Sequence, residues 1–191
     1  MIKVPKYYQK VKTLPTDPPG SIARMAQSSQ ATAFTIQYFI PDGHGMPYDD
    51  SAVIEGIHSA LGNDQGLIEV KTGRSRYKKK YIYSIVKTVN EQKGATYTLT
   101  LQMLKTRTIY LQGFFEEGST TGLRDVVVYE MLQRKGVVDD QFTGWMKDPY
   151  DASYTKGILM NLSEDKQFDE MFPEHPLSMA REMVRYVLEN N

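Results

Sequence analysis

The sequence predicts an α+β fold, with an antiparallel sheet of about six strands, flanking helices and a C-terminal helical appendage. Three observations lead to this prediction. Several runs alternate apolar and polar residues and are rich in Val, Ile, Thr, Tyr and Phe, which favours strands. Some of these runs are separated by only two or three residues, which requires antiparallel neighbours. Other segments repeat apolar residues every three or four positions, as amphipathic helices do.

Length and composition indicate an ordinary globular protein. The 191 residues are 40% hydrophobic and 24% charged, which suffices for a sizeable core. The absence of cysteine excludes disulfides, thiolate metal sites and a cysteine nucleophile. The N-terminal residues lack the apolar region of a signal peptide, and no apolar window approaches the length of a membrane span. The sequence therefore predicts a cytoplasmic protein without membrane association, unless a leader has been removed.

The chain divides into three regions by composition. Residues 1–20 contain four prolines and are expected to form an extended arm without regular elements. Residues 21–138 contain the strand patterns and two helix patterns, so they form the predicted sheet domain. Residues 139–191 hold 11 acidic and 5 basic residues and are expected to form an acidic helical appendage packed on that domain.

The predicted elements follow one another in a definite order. The strands are expected at 21–28, 31–40, 66–74, 81–91, 95–105 and 108–117. The first helix is expected at 51–62, capped by Asp49, Asp50 or Ser51, and the second at 121–136, capped by Ser119 or Thr120. In the appendage, Ser163 is expected to cap a short helix over 164–172, and Pro176 to begin a last helix.

This order of hairpin, helix, four-stranded antiparallel run and helix resembles the Mog1/PsbP-like α/β/α sandwich. The resemblance covers roughly residues 21–136, through ATAFTIQYFIP (31–41), YIYSIVKTV (81–89), TYTLTLQM (96–103) and IYLQGFFEE (109–117). Members of that group act mostly as non-catalytic binding modules, among them a regulator of the Ran GTPase and a subunit of the oxygen-evolving complex. The resemblance therefore implies a binding role, and no partner-contact residue of the group can be transferred to this chain.

Charge is distributed unevenly although the net charge is zero. Residues 1–107 hold 15 basic and 8 acidic groups, whereas residues 108–191 hold 8 basic and 15 acidic groups. Such an asymmetry indicates a basic surface with an acidic counterpart, in the same chain or in a partner.

The stretch GRSRYKKKYIYSIV (73–86) concentrates this positive charge. Its cations, with two neighbouring tyrosines, are Arg74, Arg76, Lys78, Lys79, Lys80, Tyr77 and Tyr81. If the segment is extended, Arg74, Arg76, Lys78 and Lys80 share one face. Three interpretations stay open: a solvated turn and strand start that discourages edge pairing, a site for an acidic protein segment (the chain's own appendage included), or a nucleic-acid grip with stacking tyrosines. The zero net charge argues against nucleic acid.

Other polar and aromatic residues have simpler explanations. Asp42, His44, Asp49 and Asp50 match no metal-ligand spacing and lie where a turn and a helix cap belong. His58 is expected at a helix boundary with a hydrogen-bond partner, and His175 at or next to the N-cap before Pro176. Trp145, Tyr150 and Tyr154 either anchor the appendage or form an exposed patch for a partner.

No nucleotide-binding, zinc-protease or nucleophile-elbow motif occurs in the chain. The preferred hypothesis is a non-catalytic protein-binding module without cofactor or metal, and a homodimer is compatible with it. The first alternative is a small-ligand protein or hydrolase-type enzyme with a cleft between sheet and appendage, using Glu116 and Glu117 or the 42–50 loop. The second alternative is a weak nucleic-acid binder acting through residues 74–80.

Overall fold

The computed structural model describes residues 1–41, 44–91, 94–118 and 120–191. It confirms the α+β class, with a large antiparallel sheet and three α-helices. The strands of the main sheet are β1 (Gln9–Val11), β2 (Ile22–Gln27), β3 (Ala31–Phe39), β4 (Gln65–Arg74), β5 (Lys80–Asn90), β6 (Gly94–Leu104) and β7 (Thr108–Glu117). Their order in space is β1-β2-β3-β7-β6-β5-β4, so β1 and β4 are the edges.

The three helices lie around this sheet. They are α1 (Asp50–Ala60), α2 (Leu123–Arg134) and α3 (Pro176–Asn190). The apolar residues of α1 pack on Leu67, Val70 and Ile82, on one face of β4 and β5. α3 packs on the opposite face, against β3, β6 and β7. The sheet therefore carries one helix on each face.

The N-terminal region contains a strand where no regular element was expected. β1 pairs antiparallel with β2, so the main sheet has seven strands rather than about six. Ile2 and Tyr8 are buried in the main core, and the Ile2 N–H donates to Gln37 Oε1 at 2.8 Å. This burial holds the segment along the sheet despite its prolines.

Two helix starts illustrate what the local sequence can and cannot specify. α1 begins as expected, because Asp49 Oδ1 accepts a hydrogen bond from the Ala52 N–H at 2.8 Å. α2 begins at Leu123, later than predicted, with Gly122 at the N-cap in a left-handed conformation (φ 75°). That conformation interrupts the helix before Leu123, so Thr120 does not cap it. The alternative cap, Ser119, lies outside the described residues.

In the C-terminal region, the prediction of a short helix is wrong. The expected helix over 164–172 is replaced by two 3₁₀ turns, Leu162–Glu164 and Lys166–Phe168. The extended backbone of Asp165 separates them, and the first is capped by Asn161 rather than by Ser163. Two short strands, β8 (Met146–Lys147) and β9 (Met160–Asn161), form a separate hairpin in this region.

The core joins the C-terminal region to the sheet. Leu177 and Met183 of α3 belong to the same apolar cluster as Leu99 and Leu101 of β6. Beside that cluster, Glu164 accepts hydrogen bonds from Lys87 Nζ at 2.8 Å and from the Tyr97 hydroxyl at 2.7 Å. Apolar packing and a buried ion pair therefore both hold the segment to the strands. None of the described helices has the length and apolarity that crossing a membrane would require.

Candidate functional site

The basic stretch forms the tip of the β4–β5 hairpin. The Ser75 N–H donates to Lys79 O at 2.9 Å, and the Lys78 N–H donates to Ser75 O at 2.8 Å. Lys78 has φ 60°, a left-handed conformation that turns the chain back. The alternation expected for an extended segment therefore does not occur across the turn.

The five cations of this hairpin tip are all exposed. Arg74 Nη1 donates to the carbonyl oxygen of Lys78 at 3.1 Å, within the turn itself. Among the described residues, no carboxylate forms an ion pair with any of the five.

The tyrosines of the stretch have different environments. Tyr77, on the turn, is 58% exposed. Tyr81 and Tyr83 are only 5% exposed each and belong to the main core. A nucleic-acid grip would need several exposed rings as a stacking platform, and only the Tyr77 ring is presented to solvent here.

The turn is fixed by the C-terminal end of α3. The Arg76 N–H donates to Leu188 O at 2.9 Å, and the Ser75 hydroxyl donates to Asn191 O at 2.5 Å. These bonds satisfy carbonyl groups that would otherwise be unpaired at a helix end. These hydrogen bonds from residues 139–191 to the tip thus come from backbone groups. Binding of the tip by the acidic side chains of the same region stays a prediction.

A second turn brings more positive charge to the same end of the sheet. Asn191 Oδ1 accepts hydrogen bonds from the Lys3 N–H at 2.8 Å and from Lys105 Nζ at 3.2 Å. Partial burial, together with the charges of Lys3 and Lys79, lowers the pKa of Lys105. We use "basic end" for this surface, which consists of Lys3, Arg74, Arg76, Lys78, Lys79, Lys80, Lys105 and Arg107.

Three members of the basic end were not found from the sequence. Lys3, Lys105 and Arg107 are distant in sequence from the hairpin tip. Lys105 and Arg107 join it because the β4–β5 and β6–β7 hairpins are antiparallel neighbours, so their turns lie at one end of the sheet. Lys3 joins it through the hydrogen bond from its N–H to Asn191 Oδ1. The signal available was the second short basic connection, Lys105-Thr106-Arg107.

The aromatic residues of the C-terminal region make contacts within the molecule. Trp145 is buried with Val128 of α2, and its ring meets that of Tyr129 edge-on at 5.3 Å. The Tyr150 hydroxyl accepts from the Val70 N–H at 2.6 Å and donates to Val70 O at 3.1 Å. The Tyr154 ring stacks on the His58 ring at 4.0 Å. In this geometry the three side chains connect residues 145–154 to α2, to β4 and to α1.

The histidines have structural partners. His58 Nε2 lies 2.9 Å from Asp148 Oδ2, which confirms the predicted hydrogen-bonded boundary histidine. His175 caps α3, because its Nδ1 accepts from the Leu177 N–H at 3.2 Å. His44 is exposed, and Asp49 is engaged in capping α1.

Asp50, also of that loop set, is the first residue of α1, and Asp42 lies outside the described residues. Within the described ranges, no three His, Asp or Glu side chains come together in a way that could hold a metal ion.

A cavity of about 470 Å³ lies between β4–β5 and α3, with Glu69 at its wall. Glu69 is 5% exposed and receives hydrogen bonds from Arg181 Nε (2.9 Å) and the Tyr83 hydroxyl, and its carboxylate lies 2.7 Å from Lys166 Nζ. Burial alone would raise the pKa of Glu69, but the hydrogen bonds from Lys166 and Tyr83 and the charge of Arg181 outweigh it and lower the pKa. The cavity therefore presents a paired carboxylate rather than a general acid of raised pKa.

The carboxylates proposed from the sequence for such a cleft do not line it. Glu116 is exposed on β7. Glu117 accepts hydrogen bonds from the Ala95 N–H at 2.8 Å and the Gly122 N–H at 3.3 Å, and lies 3.5 Å from His175 Nε2. The sequence did not indicate Glu69 as a site residue, because only the fold brings its partners Lys166 and Arg181 to it.

No protein-family model matches this sequence, and no curated protein matches it either.

Proposed function

We propose that the protein is a non-catalytic binding module whose basic end binds an acidic segment of another protein. The observation that carries the proposal is the absence of ion pairs at the basic end among the described residues, although it gathers eight cations. The hydrogen bonds from the tip to Leu188 and Asn191 order it before any partner binds, which lowers the entropic cost of association. Like charges held close together favour an anionic partner.

A protein partner fits this surface better than a nucleic acid. Tyr81 and Tyr83 are buried, so residues 74–80 present Tyr77 as their exposed ring rather than a row of rings for bases. An acidic protein segment needs no aromatic stacking, because each of its carboxylates can pair separately with a cation of the tip.

The resemblance to the Mog1/PsbP-like sandwich supports a binding role and stays a prediction. The two alternatives stay predictions as well. A hydrolase-type reaction in the cavity beside Glu69 would need another catalytic group, since that carboxylate is already paired. A nucleic acid on residues 74–80 would need stacking from Tyr77 alone.

A peptide titration tests the proposal. A labelled ten-residue polyglutamate peptide is titrated with the wild-type protein and with the triple variant Lys78→Ala/Lys79→Ala/Lys80→Ala, at two salt concentrations. We expect the triple variant to bind roughly tenfold more weakly, since exposed ion pairs contribute about 0.5 kcal/mol each. Binding by the wild type should weaken as salt is added.

A second triple variant provides the matched control. Lys135→Ala/Lys147→Ala/Lys156→Ala removes the same charge from exposed lysines away from the basic end. Its affinity should stay within twofold of wild type. An equal loss in both variants would contradict a defined site. Tighter binding of a single-stranded oligonucleotide in the same assay would favour the nucleic-acid alternative.

A further inference from the structure

We infer that the acidic partner segment binds in an extended conformation, as an additional strand on the open part of the β4 edge, beside Thr72 and Arg74. This inference rests on the proposed function and specifies how its partner is held. It starts from the position of β4, which is the last strand of the sheet and leads directly into the hairpin tip. An edge strand offers unpaired backbone groups to an extended peptide.

Most of the β4 edge is already sealed by the C-terminal region. At its start, Gln65 O accepts a hydrogen bond from the Ile158 N–H at 2.8 Å. In its middle, both backbone groups of Val70 are bonded to the Tyr150 hydroxyl. Within the described part of the chain, no hydrogen bond to the open side of β4 is made beyond Val70, so the edge from Lys71 to Arg74 is where a partner strand can pair.

The register shows which groups are offered there. In an antiparallel pair, successive residues direct their N–H and C=O groups alternately toward the partner strand and away from it. Val70 directs both groups away from β5, toward Tyr150, so Thr72 and Arg74 do the same. Among the described residues, none forms a hydrogen bond with these four groups as Tyr150 does with those of Val70.

The charges around this edge select its occupant. Lys71 lies on one face of β4 and Arg74 on the other, and both are exposed. Positive charge on both faces discourages pairing with the same edge of a second copy. An extended segment with carboxylates would instead find Arg74 on one face and the cations of the hairpin tip beyond it. On its other face it would meet Lys71, which lines the cavity together with Glu69, Glu170 and Glu189.

Peptides that differ only in backbone donors test this inference. The first is a ten-residue peptide of alternating Glu and Thr, and the second is the same peptide N-methylated at every residue, which keeps the charge but removes the N–H groups. We expect the wild-type protein to bind the first at least tenfold more tightly. The variant Thr72→Pro, which loses an edge N–H, should lose most of that preference, whereas Thr72→Val should keep it.

The outcomes separate the inference from the proposed function. Equal binding of both peptides, still dependent on Lys78–Lys80, would overturn the added strand and leave the acidic-segment site standing. Binding of neither peptide would overturn both. If Thr72→Pro does not fold, the comparison of the two peptides on the wild-type protein still decides the matter.

Discussion

Glu69 is the residue of β4 at which charged side chains of the C-terminal region, Lys166 and Arg181, converge. Arg181 bonds both Glu69 and Asp169, and Asp169 also pairs with the fully buried guanidinium of Arg124. A line of alternating charges thus runs from β4 through α3 to α2. Removing one member of a buried pair leaves the others without compensation, which costs more than the pair contributes.

Replacement of Glu69 tests this account. Glu69→Gln should lower the free energy of unfolding by roughly 3 kcal/mol at neutral pH, because Arg181 and Lys166 lose their carboxylate. For a chain of this size that corresponds to a fall in Tm of roughly 6–12 °C in thermal unfolding. Glu170→Gln, at an exposed position of the same cavity, is the matched control and should change Tm little.

The same residue predicts a pH dependence. The pKa of Glu69 is lowered in the folded state, so the folded protein holds the ionised form more strongly than the unfolded chain does. Its contribution is therefore fully present above the unfolded pKa, near 4.5, and is lost as pH falls through the lower folded pKa. The difference in Tm between wild type and Glu69→Gln should narrow over that acid range; a constant difference would contradict the assignment.

Single residues also show how far sequence reasoning reaches. The caps Asp49 and His175 were predictable, because a side-chain acceptor next to a helix start has a local signature. The partners of Glu69 were not, because Lys166 and Arg181 lie about a hundred residues away.

Among the elements, β4 carries a glycine that a neighbouring loop requires. Gly66 lies against the loop that covers the edge, and a Cβ atom there would stand 1.6 Å from Ile158 O. No side chain fits at that position unless the loop moves. Glycine at this point of a strand is therefore explained by the close approach of another backbone.

A pair of glycine substitutions tests the sealing of the edge. Gly66→Ala should displace the loop at Ile158 and reduce the free energy of unfolding by roughly 2 kcal/mol. Gly56→Ala, within α1, where the added Cβ would have no atom within 4 Å apart from its chain neighbours and the backbone of its own helix, should be neutral or stabilising by up to about 1 kcal/mol. Chemical denaturation measures both, and hydrogen exchange at the Ile158 amide should accelerate only in Gly66→Ala. Equal stability of the two variants would contradict the close approach.

Elements with strong periodicity were predictable, and those defined by tertiary contacts were not. β2 to β7 lie close to their predicted ranges because alternation of apolar residues reports a half-buried strand directly. β1 has only three residues and depends on pairing with β2. The 3₁₀ turns at 162–168 replace a predicted helix because the polar network of Asn161 and Glu164 fixes the backbone there.

In the whole molecule, the uneven charge along the sequence becomes a localised basic end. The five cations of the hairpin tip were visible in the sequence, since they are nearly contiguous. Their association with Lys3, Lys105 and Arg107 required the strand order and the position of Asn191. The surface that carries the proposed function is thus a product of the fold as much as of the local sequence.

Backbone chemical-shift mapping by NMR tests the central claim most directly. The isotope-labelled protein is titrated with the polyglutamate peptide, and the amide shifts are followed to saturation. The account predicts shifts concentrated at residues 72–80, at 105–107 and at Lys3, and their loss when salt is added. Shifts concentrated instead around Glu69 and Tyr83, or no saturable shifts at all, would contradict it.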